Sequence, residues 1–274
     1  MLAKVLPVIL LFFIPPFLGN YVLFLSLIAI NLGILTLSWQ LMEKDSGWIS
    51  FGQSIPFGIS AYILAINPYL TFLAPVNFLI FLFLSVFGKS LFPFATFITS
   101  IATWQASNYL TINGKGGEEG FSVALQLPSE KIYLASATIF IVFLILLEVL
   151  SKSKIGLKIK AVRDNEIAAK SIGLDPIKYR MFAFFISSVI ASISGILHAI
   201  TFSHVSPSVF SPFYALFPFV ASTISYGKYY TCIFGSFLVV FLTHALTAIF
   251  PEAHYILYSV VLMFFAVMKY AKDS

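Results

Sequence analysis

Apolar runs of about twenty residues follow one another along almost the whole chain and leave it few choices of fold. They fall at about 5–18, 21–42, 48–66, 69–87, 90–111, 131–150, 181–203, 207–226, 229–250 and 254–270. About 20 apolar residues in a helix cover the hydrocarbon core of a bilayer. In lipid only helices and closed barrels satisfy their own backbone polar groups, and runs of this length are too long for strands. Composition agrees, since 59% of the 274 residues are hydrophobic and 10% charged, against about 25% charged in soluble domains. The expected fold is all-α, a polytopic helical membrane protein of about ten transmembrane helices forming one domain over 1–274. Pro56 interrupts the run 48–66, and Pro212 and Pro218 interrupt 207–226. Both are candidates for broken or re-entrant segments, which leaves eight full spans as the alternative. The run 5–18 has the charge and apolar core of a signal peptide, but F-L-G-N follows it rather than a small-residue cleavage site, so a retained first helix is expected.

One long polar stretch, 151–180, breaks this pattern. It holds Lys152, Lys154, Lys158, Lys160, Arg163, Lys170, Lys178 and Arg180 against Asp164, Glu166 and Asp175, and so accounts for the formal net charge of +5. Each Lys or Arg costs roughly 2.5–3.5 kcal/mol at the bilayer centre, which keeps the stretch in water. With ten alternating spans, fourteen of the sixteen basic residues fall on one side and only Lys115 and Lys131 on the other. By the positive-inside rule that side is cytoplasmic, and with it both termini. Juxtamembrane lysines orient helices, so the basic character calls for no nucleic acid. Within the stretch, 156–171 is rich in helix formers and Gly173 stands where a helix C-terminus favours positive φ. Asp175 followed by Pro176 reads as an N-cap and first-turn proline. A short cytoplasmic helix, a tight turn and a membrane helix are therefore expected in direct succession. Ala161, Ala168, Ala169 and Ile172 would form a shallow apolar strip on the short helix, suited to a groove on another protein.

The run A-V-R-D-N-E-I-A-A-K-S-I-G-L-D-P-I-K-Y-R-M-F-A-F-F-I-S-S-V-I-A-S-I-S-G-I-L-H-A over 161–199 resembles the permease subunits of branched-chain amino acid importers driven by ATP-binding-cassette ATPases, in their LivM-like branch. The family's cytoplasmic motif is matched at Arg163, Asn165, Glu166, Ala168, Ala169 and Gly173, with Asp164 inside it. G-W-I-S-F-G-Q-S-I-P-F-G-I-S-A-Y over 47–62 is similar to a second family motif, with Ser60 at a usual glycine, and G-G-E-E-G-F over 116–121 is a weaker third. Near the end only S-Y-G-K-Y-Y-T-C-I-F-G-S, 225–236, corresponds to the family's glycine-rich turn, and the closing Pro-x-Gly-Leu is absent. The resemblance implies a ten-helix permease fold in the plasma membrane and leucine, isoleucine and valine as default substrates, with urea or another small polar solute as alternatives. It implies three kinds of partner: cytoplasmic ATPase subunits contacting 163–173, a second related permease subunit and an extracytoplasmic solute-binding protein. ATP would be used by those subunits, with no cofactor bound by this chain.

Within the membrane the informative residues are small and polar. Ala191, Gly195 and Ala199 recur every four positions beside Ser188 and Ser192, a surface that lets helix backbones approach. Ser54 and Gly58 repeat the spacing. Ser50, Gly52, Gln53 and Ser54 before Pro56 read either as close packing or as an irregular helix start lining a polar path; Gln105, Asn108 and Asn113 would line its outer mouth. The loop at about 112–130 is a turn or a contact for a binding protein. Lys115 is followed by Gly116, so its glycines do not form a phosphate loop. Only Glu148 stands close to the membrane interior as an ionisable group, which weakens an ion-coupled carrier without removing it. His198, His204, His244 and His254 show no metal-ligand spacing, and no Ser/His/Asp constellation points to an enzyme. Lone Cys232 allows no internal disulfide.

Overall fold

The computed structural model describes residues 19–247 other than 113, 126 and 227, together with residue 260. The expected spans 5–18 and 254–270, save that residue, and with them Lys4, Asn113, His254, Lys269 and Lys272, lie outside the described residues.

The first helix, α1 (Asn20–Gln40), carries apolar residues on every side and neither proline nor charge. A helix without a polar face must be enclosed, and α1 is the axis of the bundle. It runs on through a π-helical turn, Leu41–Ser46, to Gly47. Around it pack α5 (Ser129–Lys152), α8 (Pro176–Phe202), α9 (Pro212–Ile224) and α10 (Cys232–Thr247). The second helix, α2 (Ser54–Ile66), lies against α8. The closeness of that contact depends on Gly195, where a Cβ would collide with Phe57 O and come within 2.5 Å of Ser60 Oγ. Ser188, Ala191, Ser192 and Ala199 are buried beside it, and the Ser60 hydroxyl lies 2.8 Å from Ser192 O.

Five helical segments among the described residues are long and apolar enough to cross a membrane: Asn20–Ser46, Pro68–Phe87, Ser129–Lys152, Pro176–Phe202 and Tyr229–Thr247. Pro68–Phe87 is built from a 3₁₀ stretch, α3 (Phe78–Leu84) and a last 3₁₀ turn. It is the least buried of the five, at the bundle periphery. The other three expected spans are shorter than the sequence reading has them. Helix α4 (Phe92–Ser107) has 16 residues, and α2 and α9 have 13 each. At 1.5 Å per residue, thirteen residues rise only about 20 Å, less than the roughly 30 Å hydrocarbon core. The difference has a local cause. Irregular backbone from Gly47 to Gln53 precedes α2, and a 3₁₀ turn, Pro207–Phe210, precedes α9, which also contains Pro218. Among the described residues the eight expected spans thus divide into five long ones and three shorter apolar helices, two of the three being the segments marked by Pro56 and by Pro212 and Pro218.

Outside the bundle, β1 (Thr111–Ile112) pairs with β2 (Lys115–Gly116), and β3 (Phe121–Ser122) pairs antiparallel with β4 (His204–Val205) after α8. The expected loop at 112–130 is thus a folded turn fastened to the end of α8.

Candidate functional site

The basic stretch folds as two helices rather than one. Helix α6 (Lys154–Asp164) opens on Ser153, whose hydroxyl accepts from Gly156 N at 3.2 Å. Asn165 breaks the run with extended backbone at φ −154°, ψ 105°, and its Oδ1 accepts from Ile167 N and Ala168 N, capping α7 (Glu166–Ser171). Asparagine favours this role because its side chain replaces the missing turn of backbone partners. Gly173 then takes φ +81°, Leu174 N donates to Ala169 O, and Asp175 caps α8 by accepting from Ile177 N at 3.0 Å. The turn and the second cap follow the sequence reading; the break at Asn165 does not.

That break redistributes the charges. Arg163 and Glu166, three residues apart in the motif, go separate ways. Arg163 pairs with Asp164 at 2.7 Å and donates to Lys44 O, while Glu166 pairs with Arg180 at 3.1 Å. Arg180 also stands over the Trp48 ring, 4.3 Å from its centroid, a cation–π contact. Of the two alanines, Ala168 is exposed and Ala169 is buried within its own chain at 3% exposure. Ile167 and Ile172 stand out at 80% and 73%. The outward apolar residues of α7 and the turn after it are therefore Ile167, Ala168 and Ile172, and Ala169 belongs to the inner side.

A carboxylate absent from the sequence reading ties this loop to the bundle. Asp45, in the π-helical turn, is 1% exposed. It accepts from Tyr229 OH at 2.9 Å and Ser151 Oγ at 3.1 Å, and Lys160 Nζ lies 3.5 Å away. Lys160 donates in addition to Ser151 O at 2.7 Å, and Lys44 lies over the Tyr229 ring at 4.3 Å. The ends of α1 and α5, helix α6 and the start of the span Tyr229–Thr247 thus meet at one buried acid. Burial of a charge is tolerated only with such pairing and hydrogen bonding. M-E-K-D-S-G in isolation looks like a solvated helix end, and the one signal in the sequence is the acid's proximity to a long apolar run.

Deeper in the bundle a seam of uncharged polar groups runs between α1, α2 and α8. Gln53 Nε2 donates to Ser187 Oγ at 3.2 Å, Gln53 Oε1 lies 3.3 Å from Ser38 Oγ, and Ser187 Oγ donates to Ser38 O. Ser194 Oγ donates to Asn31 O, and Asn31 Nδ2 to Thr201 Oγ1. The residues read as a polar path are held here by protein. Ser50 O accepts from Trp39 Nε1 at 2.6 Å and its hydroxyl from Gly52 N; Ser54 Oγ meets Ser100 Oγ at 2.5 Å. Gly52 and Gly58 are buried, Gly58 against the Phe210 ring. Thr96, whose hydroxyl accepts from Phe51 N, is a support for this irregular segment that the sequence reading omitted. Gln105 and Asn108 lie apart, at the loop end of α4, exposed and half-buried. Capacity remains in the seam itself: Asn31 Oδ1, Gln40 Oε1, Ser188 Oγ and Ser192 Oγ are buried without a hydrogen-bond partner. His198 sits in an aromatic nest, its Nε2 3.3 Å from Tyr214 OH, beside Phe57, which agrees with a structural role.

An apolar bundle with an uncharged polar seam and a basic helical loop pinned to its base defines a multi-pass membrane protein with the features of a permease. A family model described as the permease component of the branched-chain amino acid transport system matches residues 21–266, and the chain belongs to that family, one of transport proteins rather than enzymes. The high-affinity branched-chain amino acid transport system permease protein LivM of Escherichia coli (strain K12) is 32% identical over 103 residues, covering 35% of this chain and 24% of that protein. The protein of the same description from Salmonella typhimurium is 32% identical over 87 residues, covering 31% of this chain and 20% of its own length. The matched stretch thus spans a quarter or less of those curated relatives. No solved structure matches the chain.

Proposed function

We propose that this chain is the permease subunit of an ATP-driven importer that moves leucine, isoleucine and valine. It works with cytoplasmic ATPase subunits, a second related permease and an extracytoplasmic binding protein. The observation that carries the reading is the loop of α6 and α7, which shows solvent an apolar face at Ile167, Ala168 and Ile172 while its base is fixed to three spans through Asp45. A loop serving topology alone needs neither the exposed isoleucines nor the buried anchor. Arg163, Asp164, Asn165, Glu166, Ala168 and Gly173 form the ATPase-facing surface and its turn, and movement there enters α8 through Asp175 and Pro176. The seam at Asn31, Gln40, Ser188 and Ser192 offers neutral hydrogen bonding, which suits a solute whose charges cancel. The chain itself binds no ATP in this scheme. Both termini lie in the cytoplasm in this scheme, a reading supported by the charge bias of the sequence.

The test is uptake of labelled leucine into proteoliposomes holding the assembled subunits. ATP inside and binding protein outside should suffice after the proton and sodium gradients are collapsed. Loss of uptake under those conditions would instead identify an ion-coupled carrier. Competition by isoleucine and valine but not by urea separates the amino acid reading from a small neutral solute.

A further inference from the structure

A groove of about 470 Å³ lies where the basic loop meets the membrane helices, lined by Phe78 of α3, Ile155 of α6, and Lys178, Tyr179, Met181, Phe182 and Phe185 of α8. Its volume falls in the range of ligand sites, roughly 300–1,000 Å³. Its chemistry changes along its length. Lys178 is in the first turn of α8, at the aqueous end, and Phe185 is seven residues on, about 10 Å deeper at 1.5 Å per residue. Phe78 and Phe185 meet edge to face at 5.5 Å, closing the deep end with aromatic carbon. At the shallow end Lys158 Nζ stands 5.9 Å from the Tyr179 ring centroid, bringing a second cation to the rim. The ion pairs of the loop engage Lys152, Lys160, Arg163 and Arg180, and neither Lys158 nor Lys178 is among them. The nearest acid in sequence, Asp175, is engaged in capping Ile177 N.

We infer that this groove binds one anionic glycerophospholipid of the leaflet on the basic side, its phosphate at Lys158 and Lys178 and an acyl chain along Phe182, Phe185 and Phe78. The order of groups matches the order along such a lipid: charge at the interface, then hydrocarbon within one or two helical turns. Basic recesses between membrane helices on the cytoplasmic side recognise acidic headgroups by this chemistry. A partner helix filling the groove would meet two lysines that make no ion pair among the described residues, and would need to carry its own acid there. Because Ile155 belongs to the loop and the other walls to the bundle, a bound lipid also wedges α6 against α8. The inference stands apart from the identity of the transported solute.

The full chain, purified and placed in lipid nanodiscs, is exposed to two photoactivatable phospholipids that carry the same labelled acyl chain, one with a phosphatidylglycerol and one with a phosphatidylcholine headgroup. The anionic probe should label the peptide containing Phe182 and Phe185 in preference to the neutral one. The preference expected is roughly fivefold per lysine, from the attraction between a basic side chain and an anionic leaflet. Lys158→Ala with Lys178→Ala should bring the two probes to parity at that peptide while leaving labelling of α10, whose Leu238 and Leu242 are exposed away from the groove, unchanged. Equal labelling by both probes in the unaltered chain, or a preference that survives the double substitution, overturns the inference. Should the double variant fail to insert, Lys158→Gln alone, on the exposed face of α6, is expected to lower the preference by about fivefold, and no change would again overturn it.

Discussion

Replacing Lys160 by Met removes the cation paired with the buried Asp45 while keeping the length of the side chain. At 3.5 Å and an effective dielectric constant of 20, the gross attraction is about 5 kcal/mol. The net loss is smaller. Lys160 keeps 27% of its side chain in solvent, and Tyr229 and Ser151 still donate to the carboxylate after the change. A loss of roughly 2–3 kcal/mol remains, the range for a hydrogen bond to a charged group. Asp45→Asn is expected to cost about 1–2 kcal/mol, since the amide keeps one acceptor but presents a donor to groups that already donate. The pair together should cost less than the two changes added, with a coupling of at least about 1 kcal/mol. Unfolding of the micelle-solubilised protein by SDS, followed through Trp48 beside the loop, gives all four corners of the cycle. Additivity to within about 0.5 kcal/mol would refute the claim that these residues act as one anchor.

The outward and inward alanines of α7 separate docking from folding: Ala168→Trp should insert normally and lose ATPase co-purification. Ala169→Leu should instead lower the stability of the isolated chain by about 1–3 kcal/mol, the cost of overpacking, and the reverse pattern would discard the assignment of faces. Gly195→Leu places a side chain where Phe57 O already stands, so α2 and α8 must separate, and expression of folded protein should fall sharply while Gly173→Asn is tolerated. Ser188→Ala removes a buried hydroxyl with no partner and should leave stability unchanged or raise it by about 1 kcal/mol; a transport defect in that variant would mark the seam as the path. Reporters at Ser153 and Glu118 should face opposite sides of the membrane, and a shared side would overturn the topology drawn from the lysines.

Elements whose signals are local were legible in the sequence. The long apolar run of α1 announced a membrane-spanning helix, and Gly173, Asp175 and Pro176 announced a turn and a cap because one residue type suits each backbone position. Prolines marked α2 and α9 as broken, though nothing in a window of twenty residues shows that α4 stops after sixteen. The break at Asn165 competed with a run of good helix formers, and its capping bonds decided the matter. Asp45 had no signal beyond its proximity to a long apolar run. Its burial depends on Ser151, Lys160 and Tyr229, the last 184 positions away, and no short-range pattern carries that contact. For the same reason the outward and inward faces of α7 were assigned only once the helix was broken from α6.

The π-helical turn at Leu41–Ser46 fixes the rotational phase of everything that follows it. A π turn holds one residue more than an α turn, and each residue advances a helix by about 100°. Deleting a single residue there would let α1 continue as an ordinary helix, at no loss of backbone hydrogen bonding, yet would swing Asp45 about a quarter of a turn away from Lys160 and Tyr229. Such a chain would still have a first span of nearly full length and unchanged hydropathy. Its loop, however, would be left with the bonds of Lys160 to Ser151 and of Glu166 to Arg180, and would pull less directly on the helix that starts the bundle.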